Sequence, residues 1–322
     1  MPQPTHTAHR LLPTRPPLNA VQTAAHLPFH CLVTEIARLL ADASVEVPAR
    51  LVQALSGGGS LFVMPALDAQ IAIAKLITFT PANAGSERPT IQGDVVVFDV
   101  VTGERQLVLD GPTVTARRTA AVTVLAAQRL ASCPQGPLLV VGAGVQGKAH
   151  LEAFAEVLEV QEVMIASRNP VNAQALALYA RSLGLNAQVV QDANAALANC
   201  PLAVTCTPAN GVVLSALPRP DGFISAVGAF TPQMVELSPQ LCCHIAAHGT
   251  VITDTADARH EAGDLLQAGL DVTRFATLLE VVCRGTPQPV GPVLFKSCGW
   301  AGWDLAAARV ALKTLVTQRR VL

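Results

Sequence analysis

The sequence predicts an α/β chain: a doubly wound parallel sheet preceded by a separate N-terminal α+β unit. Three observations predict it. The apolar run Leu138–Val141 leads into Gly142, Gly144 and Gly147 in the spacing G-x-G-x-x-G, and a helix-forming stretch (148–158) follows. Beyond it, short apolar runs alternate with helical segments, the pattern of parallel strands covered on both faces. Ahead of it, strand-like runs follow one another without helices between them, as in an antiparallel or mixed sheet. A chain of 322 residues has room for about two domains, each with its own core.

Taken in order, Pro28–Asp42 carries Phe29, Leu32, Val33, Ile36, Leu39 and Leu40 on one face, which predicts an amphipathic helix. Strands are expected at 49–55, 60–64, 71–80, 94–101 and 105–110. The turns between them hold Gly57-Gly58-Gly59, Pro81, Pro89 and Thr102-Gly103. A helix should start near Thr113 and bury Val114, Val122, Leu125 and Leu130. After the glycine motif come strand 163–167, helix 172–183, strand 187–190, helix 193–199 and strand 202–207. Strands 223–228 and 250–254, a helix at 258–268 and a long final helix at 302–320 complete the chain.

Composition narrows the function classes. The chain is 51% apolar and 14% charged with a net charge of −1, and no basic block interleaves with aromatic residues. Nucleic acid is not an expected partner. Eight cysteines are dispersed without a C-x-x-C pair, so they read as reduced thiols of a cytoplasmic protein. The proline-rich N-terminus has no continuous apolar core, which predicts neither a signal peptide nor a membrane span, only a loosely held first dozen or so residues. The eight histidines show no H-E-x-x-H motif, and no metal site is expected.

The glycine motif is the fingerprint of a Rossmann-type dinucleotide site. Its first glycine makes the tight turn, its second admits the pyrophosphate, its third lets helix and strand pack closely, and the helix amides at Val145 and Gln146 face the phosphates. An acid expected about twenty residues further on, to hold the ribose 2′-hydroxyl, is missing. That position reads Ser167-Arg168-Asn169, a hydroxyl, a guanidinium and an amide that suit a 2′-phosphate. NADPH is therefore the expected cofactor, with NADH second. Thr207 and Val227, in the ends of two later strands, complete the cofactor-binding candidates.

Lys75 lies in IAIAKLITF, on the same strand face as Ile71, Ile73, Ile77 and Phe79. A lysine there needs a partner or a ligand. Arg117 and Arg118 sit in the early turns of a helix, where the dipole disfavours cations, so an anion should compensate them. Together these cations suggest a substrate carboxylate. Glu261 and Asp264, three apart on the helix expected at 258–268, read as capping or salt-bridge residues.

The motifs LFVMPA (61–66), AKLITF (74–79), LDGPTVTARRTAAVT (109–123), LVVGAGVQGKAH (139–150), ISAVGAFTPQMVEL (224–237), EAGDLLQAG (261–269) and FKSCGWAGWDLAAA (295–308) resemble those of the ornithine cyclodeaminase/mu-crystallin family. The resemblance runs from about residue 18 to the last helix. It implies a substrate-binding and dimerisation domain at 1–115, completed by the C-terminal helix 302–322, and an NADP-binding Rossmann domain at 116–301. It also implies a homodimer whose N-terminal sheets associate, and a substrate carboxylate held by Arg50, Lys75 and Arg118. Deaminating relatives carry an acid in a motif like G-A-D-x-P-G-K-x-E-L. Here that loop reads GAFTPQMVEL, with Phe230 at the acid and Met234 at the lysine. Phe and Met can neither take a proton from an amine nor help ammonia leave. Reducing a protonated cyclic imine asks for less, because the cofactor carries the hard step. The resemblance thus favours reduction of Δ1-pyrroline-2-carboxylate or Δ1-piperideine-2-carboxylate to L-proline or L-pipecolate. Ornithine cyclodeaminase and a non-enzymatic NADPH-bound small-ligand carrier are the alternatives. The sequence offers no group to offset three cations beside an iminium.

Overall fold

In the computed structural model, residues 16–83, 86, 88–208, 210–285 and 289–321 are described; the expectation for the first dozen residues lies outside them. The chain starts with α1 (Ala20–Ala25) and α2 (Phe29–Leu40). An antiparallel sheet follows: β1 (Leu51–Ala54), β2 (Ser60–Leu67), β3 (Ile71–Phe79), β4 (Ile91–Asp99) and β5 (Arg105–Asp110), in that spatial order. The alternation read from IAIAKLITF holds: Ile71, Ile73, Lys75 and Ile77 are all buried, with Lys75 opposite Met64 on β2 and Val95 on β4.

Helix α3 (Gly111–Leu130) begins where Asp110 accepts the Thr113 amide at 2.9 Å and Pro112 fills the first turn. It packs against α2, β3 and β4 on one side and against the second sheet on the other. Its alanines allow that close approach, so it is buried nearly all round rather than on one stripe. It also spans the expected domain boundary at 115/116.

The second half is β6 (Leu138–Val141), α4 (Val145–Leu158), β7 (Glu162–Ala166), α5 (Pro170–Ser182), β8 (Asn186–Val189), α6 (Ala193–Leu197), β9 (Leu202–Thr205), β10 (Asn210–Leu214), β11 (Phe223–Ala226), β12 (Val235–Leu237), α7 (Pro239–His248), β13 (Thr250–Thr253), α8 (Gly263–Gln267), β14 (Ala276–Thr277), α9 (Leu278–Glu280) and β15 (Val293–Lys296). Eight strands form one parallel sheet, ordered β14-β13-β15-β11-β9-β6-β7-β8. The order reverses between β6 and β9, which opens a crevice at their carboxyl ends. The last helix, α10 (Ala301–Val321), returns to pack on α2, α3, β2 and β3. Arg309 fixes it there, bonding Asp68 at 2.6 Å and Asp42 at 2.7 Å. Among the described residues no helix is long and apolar enough to cross a membrane.

The helix expected at 258–268 is a correction. It breaks into a 3₁₀ turn (Ala256–His260) and α8. Gly263 sits so close to the Met234 and Thr231 carbonyls that no Cβ would fit. Glu261 and Asp264 therefore do not share a helix face. The strands β10, β12, β14 and β15 and the helices α1, α7 and α9 are additional to the elements expected.

Candidate active site

The glycine turn and the ends of β7, β8 and β9 line a cavity of about 1,030 Å³ at the crevice. Each glycine has its own reason. Gly142 takes φ 117°, and a Cβ on it would lie 2.7 Å from the Cys206 carbonyl oxygen; one on Gly147 would strike the Gly142 carbonyl. Gly144, the N-cap of α4, faces open space with nothing within 4 Å. This leaves a cradle for a group that must touch backbone, and the α4 amides point into it. Val145, Gln146, Ser167, Arg168, Asn169 and Thr207 line the same cavity. The Arg168 side chain is exposed. Asn169 also caps α5, its Oδ1 accepting the Val171 and Asn172 amides at 2.9 and 3.3 Å, so its amide nitrogen is the part left for a ligand. Asn83, Ser86 and Arg88, from the β3–β4 connection, face the cavity from the antiparallel sheet. Nothing in their local sequence marks them.

A second cavity, about 190 Å³, lies between the two sheets. Arg50, Lys75 and Arg118 line it together, as do Phe62, Met64, Ile77, Phe79, Phe230 and Val227. Phe79 and Phe230 meet edge to face with centroids 6.1 Å apart. The lining therefore combines three cations with apolar and aromatic side chains. Ile91, Thr115 and Gln146 line both cavities and so mark the seam where they meet.

The cations are offset by two acids: Asp304, which the sequence reading does not single out, and Glu261, which it reads as a capping or salt-bridge residue. Asp304, fully buried at the start of α10, places Oδ1 3.0 Å from Lys75 Nζ and 3.2 Å from Arg118 Nε. Its motif, GWDLAAA, was visible, but a single acid near a helix start reads as a cap. Burial pushes the Lys75 ammonium down to about 8; Asp304 works against that shift and Arg118 adds to it. Glu261 pairs with Arg50, and burial raises its own pKa while Arg50 lowers it. Arg117 parts company with Arg118. It donates to the Leu27 carbonyl at 2.7 Å, pairs with Glu152 at 3.2 Å and lies over the Phe29 ring. Its compensating anion is a protein carboxylate, so it does not join the cavity.

Other buried acids hold the walls. Glu236 accepts hydrogen bonds from Thr205 Oγ1 (3.0 Å), the Thr207 amide (2.6 Å) and hydroxyl (2.8 Å), and the Gly228 amide (2.7 Å). It thereby ties the loops after β9 and β11 together. Asp264 accepts the Glu236 and Leu237 amides at 2.6 and 2.9 Å and pairs with buried Lys296 at 3.0 Å. Asp254 receives Ser297 Oγ, the Cys298 amide and the Gly299 amide at 2.8 to 2.9 Å, shaping the loop under Arg118. Met234 does not line the smaller cavity. His244 and His248 stand four apart on α7, an H-x-x-x-H spacing contrary to the sequence reading, and their rings stack with centroids 4.6 Å apart. Among the described residues no group of three metal-ligating side chains occurs.

A profile described as the ornithine cyclodeaminase/mu-crystallin family matches residues 29–318. The chain is 38% identical to Delta(1)-pyrroline-2-carboxylate reductase 1 of Burkholderia multivorans, over 95% of this chain and 97% of that one. It is 36% identical to the Delta(1)-pyrroline-2-carboxylate/Delta(1)-piperideine-2-carboxylate reductase of Azospirillum brasilense, over 94% and 97%. Its fold is similar to that of the Thermococcus litoralis Delta(1)-pyrroline-2-carboxylate reductase solved with NADH and L-proline, with a TM-score of 0.81, 22% identity and 94% of each chain covered.

Proposed function

The chain belongs to the ornithine cyclodeaminase/mu-crystallin family, and from that premise we propose that it is a ketimine reductase. It reduces Δ1-pyrroline-2-carboxylate or Δ1-piperideine-2-carboxylate to L-proline or L-pipecolate with a nicotinamide dinucleotide, NADPH in preference to NADH. The observation that carries this reading is the composition of the smaller cavity: three cations in its lining, and an aromatic ring at 230 where deamination needs an acid.

Arg50, Lys75 and Arg118 bind the substrate carboxylate. Against them stand Asp304 and Glu261, which leaves about one net positive charge for one carboxylate. The phenylalanines, Met64 and Ile77 receive the ring methylenes and exclude water from the reacting carbon. The open space at Gly144 and the α4 amides suit a pyrophosphate, and Ser167, Arg168 and Asn169 suit the 2′-phosphate. When bound, the dinucleotide supplies the hydride. The protein's part is to hold the C=N carbon at the seam between the cavities. Glu236 supports that wall by fixing Thr207 and Gly228.

We assign residues 1–115 with the C-terminal helix to substrate binding and dimerisation, and 116–301 to the dinucleotide. A homodimer is supported by β1, an edge strand that exposes Leu51 and Val52 by more than half. The eight free cysteines suit the cytoplasm. The deciding experiment measures NADPH consumption with each cyclic imine beside ammonia release from L-ornithine. Consumption with the imines and no ammonia is expected; ammonia without imine reduction would overturn the reading.

A further inference from the structure

We infer that the side-chain oxygen of Gln146 accepts the hydrogen bond of the substrate's iminium N–H, an inference that rests on the ketimine-reductase reading. Gln146 is the second residue of α4, so its backbone amide belongs with the helix amides that face the dinucleotide cavity. Gln146 lines both cavities. Its Oε1 is buried with no hydrogen-bond partner among the described residues. A buried acceptor is normally satisfied. This one belongs to a residue that lines both cavities.

The protein offers it no donor at the seam. Ile91 has none in its side chain, and the Thr115 hydroxyl donates to the Gly111 carbonyl at 2.8 Å. Lys75 and Arg118 are drawn to Asp304 and Arg50 to Glu261; the N–H groups they keep are those that meet the substrate carboxylate, and none of them bonds Oε1. The donor therefore comes from a ligand. Once the substrate carboxylate has met the residual positive charge of the cations, the iminium is the one charge in the cavity without a counterpart. Asp304 does not line the cavity and cannot serve it directly.

An amide oxygen suits this task better than a carboxylate. It accepts a hydrogen bond from a cation strongly, yet it is far too weak a base to remove the proton, so the carbon stays electrophilic. A carboxylate there would instead be drawn into the cations. During reduction the hydride adds to the ring carbon and the C=N π pair moves onto nitrogen. The N–H held by Gln146 remains on the product amine, and no proton passes through the residue.

The test uses the NADP⁺-loaded protein and two planar inhibitors with the same carboxylate: pyrrole-2-carboxylate, which has a ring N–H, and furan-2-carboxylate, which has a ring oxygen. The wild type should bind the pyrrole acid about five- to tenfold tighter, the scale of one neutral hydrogen bond. Gln146→Leu should bring the two inhibitors within about twofold, leave NADP⁺ affinity unchanged and lower kcat/KM for the imine by about tenfold or more. Gln146→Met, a second apolar replacement of similar length, should do the same if the leucine variant folds poorly. A preference for the pyrrole acid that persists in the variants, or is absent from the wild type, overturns the inference. Weakened NADP⁺ binding with the preference kept gives Gln146 to the cofactor and overturns it too. A wild type that reduces neither imine fails the ketimine reading itself, which separates the two failures.

Discussion

Replacing Asp304 by asparagine keeps the shape of the side chain and removes the one carboxylate shared by Lys75 and Arg118. All three groups are buried, and the oxygen lies 3.0 Å from Nζ and 3.2 Å from Nε. At an effective dielectric of about 20, a unit pair at such a distance is worth on the order of 5 kcal/mol. If a third of that is realised after relaxation, the Lys75 pKa falls by more than about one unit, from about 8 to near neutrality. The sign is fixed by the burial of a cation: its charge is lost as pH rises through the depressed pKa. Carboxylate binding by the wild type should therefore weaken above pH about 8, and Asp304→Asn should move that fall to lower pH. The inhibition constant of furan-2-carboxylate against pH isolates the effect, because this ligand has no nitrogen to titrate. Breaking a buried pair also costs roughly 3–5 kcal/mol, so the melting temperature should drop by several degrees. A fall at the same pH in both proteins would show that Asp304 does not set the charge of Lys75, and the reasoning would be wrong.

Lys75→Met preserves length and the apolar strand face, and Asp304 keeps Arg118, so the fold should survive, with a lower melting temperature because one partner of a buried pair is lost. Loss of one charged contact, about 1.5–3 kcal/mol, should cut kcat/KM by roughly tenfold to a hundredfold; unchanged kinetics would make Lys75 structural. Fluorescence titration should show NADPH binding more than about tenfold tighter than NADH, with Arg168→Ala narrowing the gap. Equal affinities in the wild type would retire the 2′-phosphate assignment. Phe230→Asp should impair imine reduction, since a carboxylate replaces a ring packed on Phe79. It should release no ammonia from ornithine, and ammonia from this variant would mean that one acid suffices for deamination.

Patterns of short range were legible in the chain itself. The glycine spacing, the strand before it and the alternation around Lys75 depend on neighbours within a turn or a few residues, and each reappears in three dimensions. So does the departure at Phe230, because an absent acid is visible without coordinates. A start signal for α7 was also present, in Ser238 as N-cap followed by Pro239. β15 was harder to see: it ends in Lys296, a charge that argues against a buried strand until Asp264 is found 3.0 Å away. The folded structure alone decided which acids answer which cations. Asp304 is 229 residues from Lys75, and Glu261 is 211 from Arg50. Arg117 and Arg118 are adjacent, yet a 100° step around α3 sends one to Glu152 and the other to Asp304. The break before α8 has the same origin, since Gly263 yields to carbonyls from a distant loop while Asp264 caps the amides of β12. Burial makes each of these charges costly unless it is paired. The pairing partner is chosen by packing between elements far apart in sequence, which no local pattern of residues encodes.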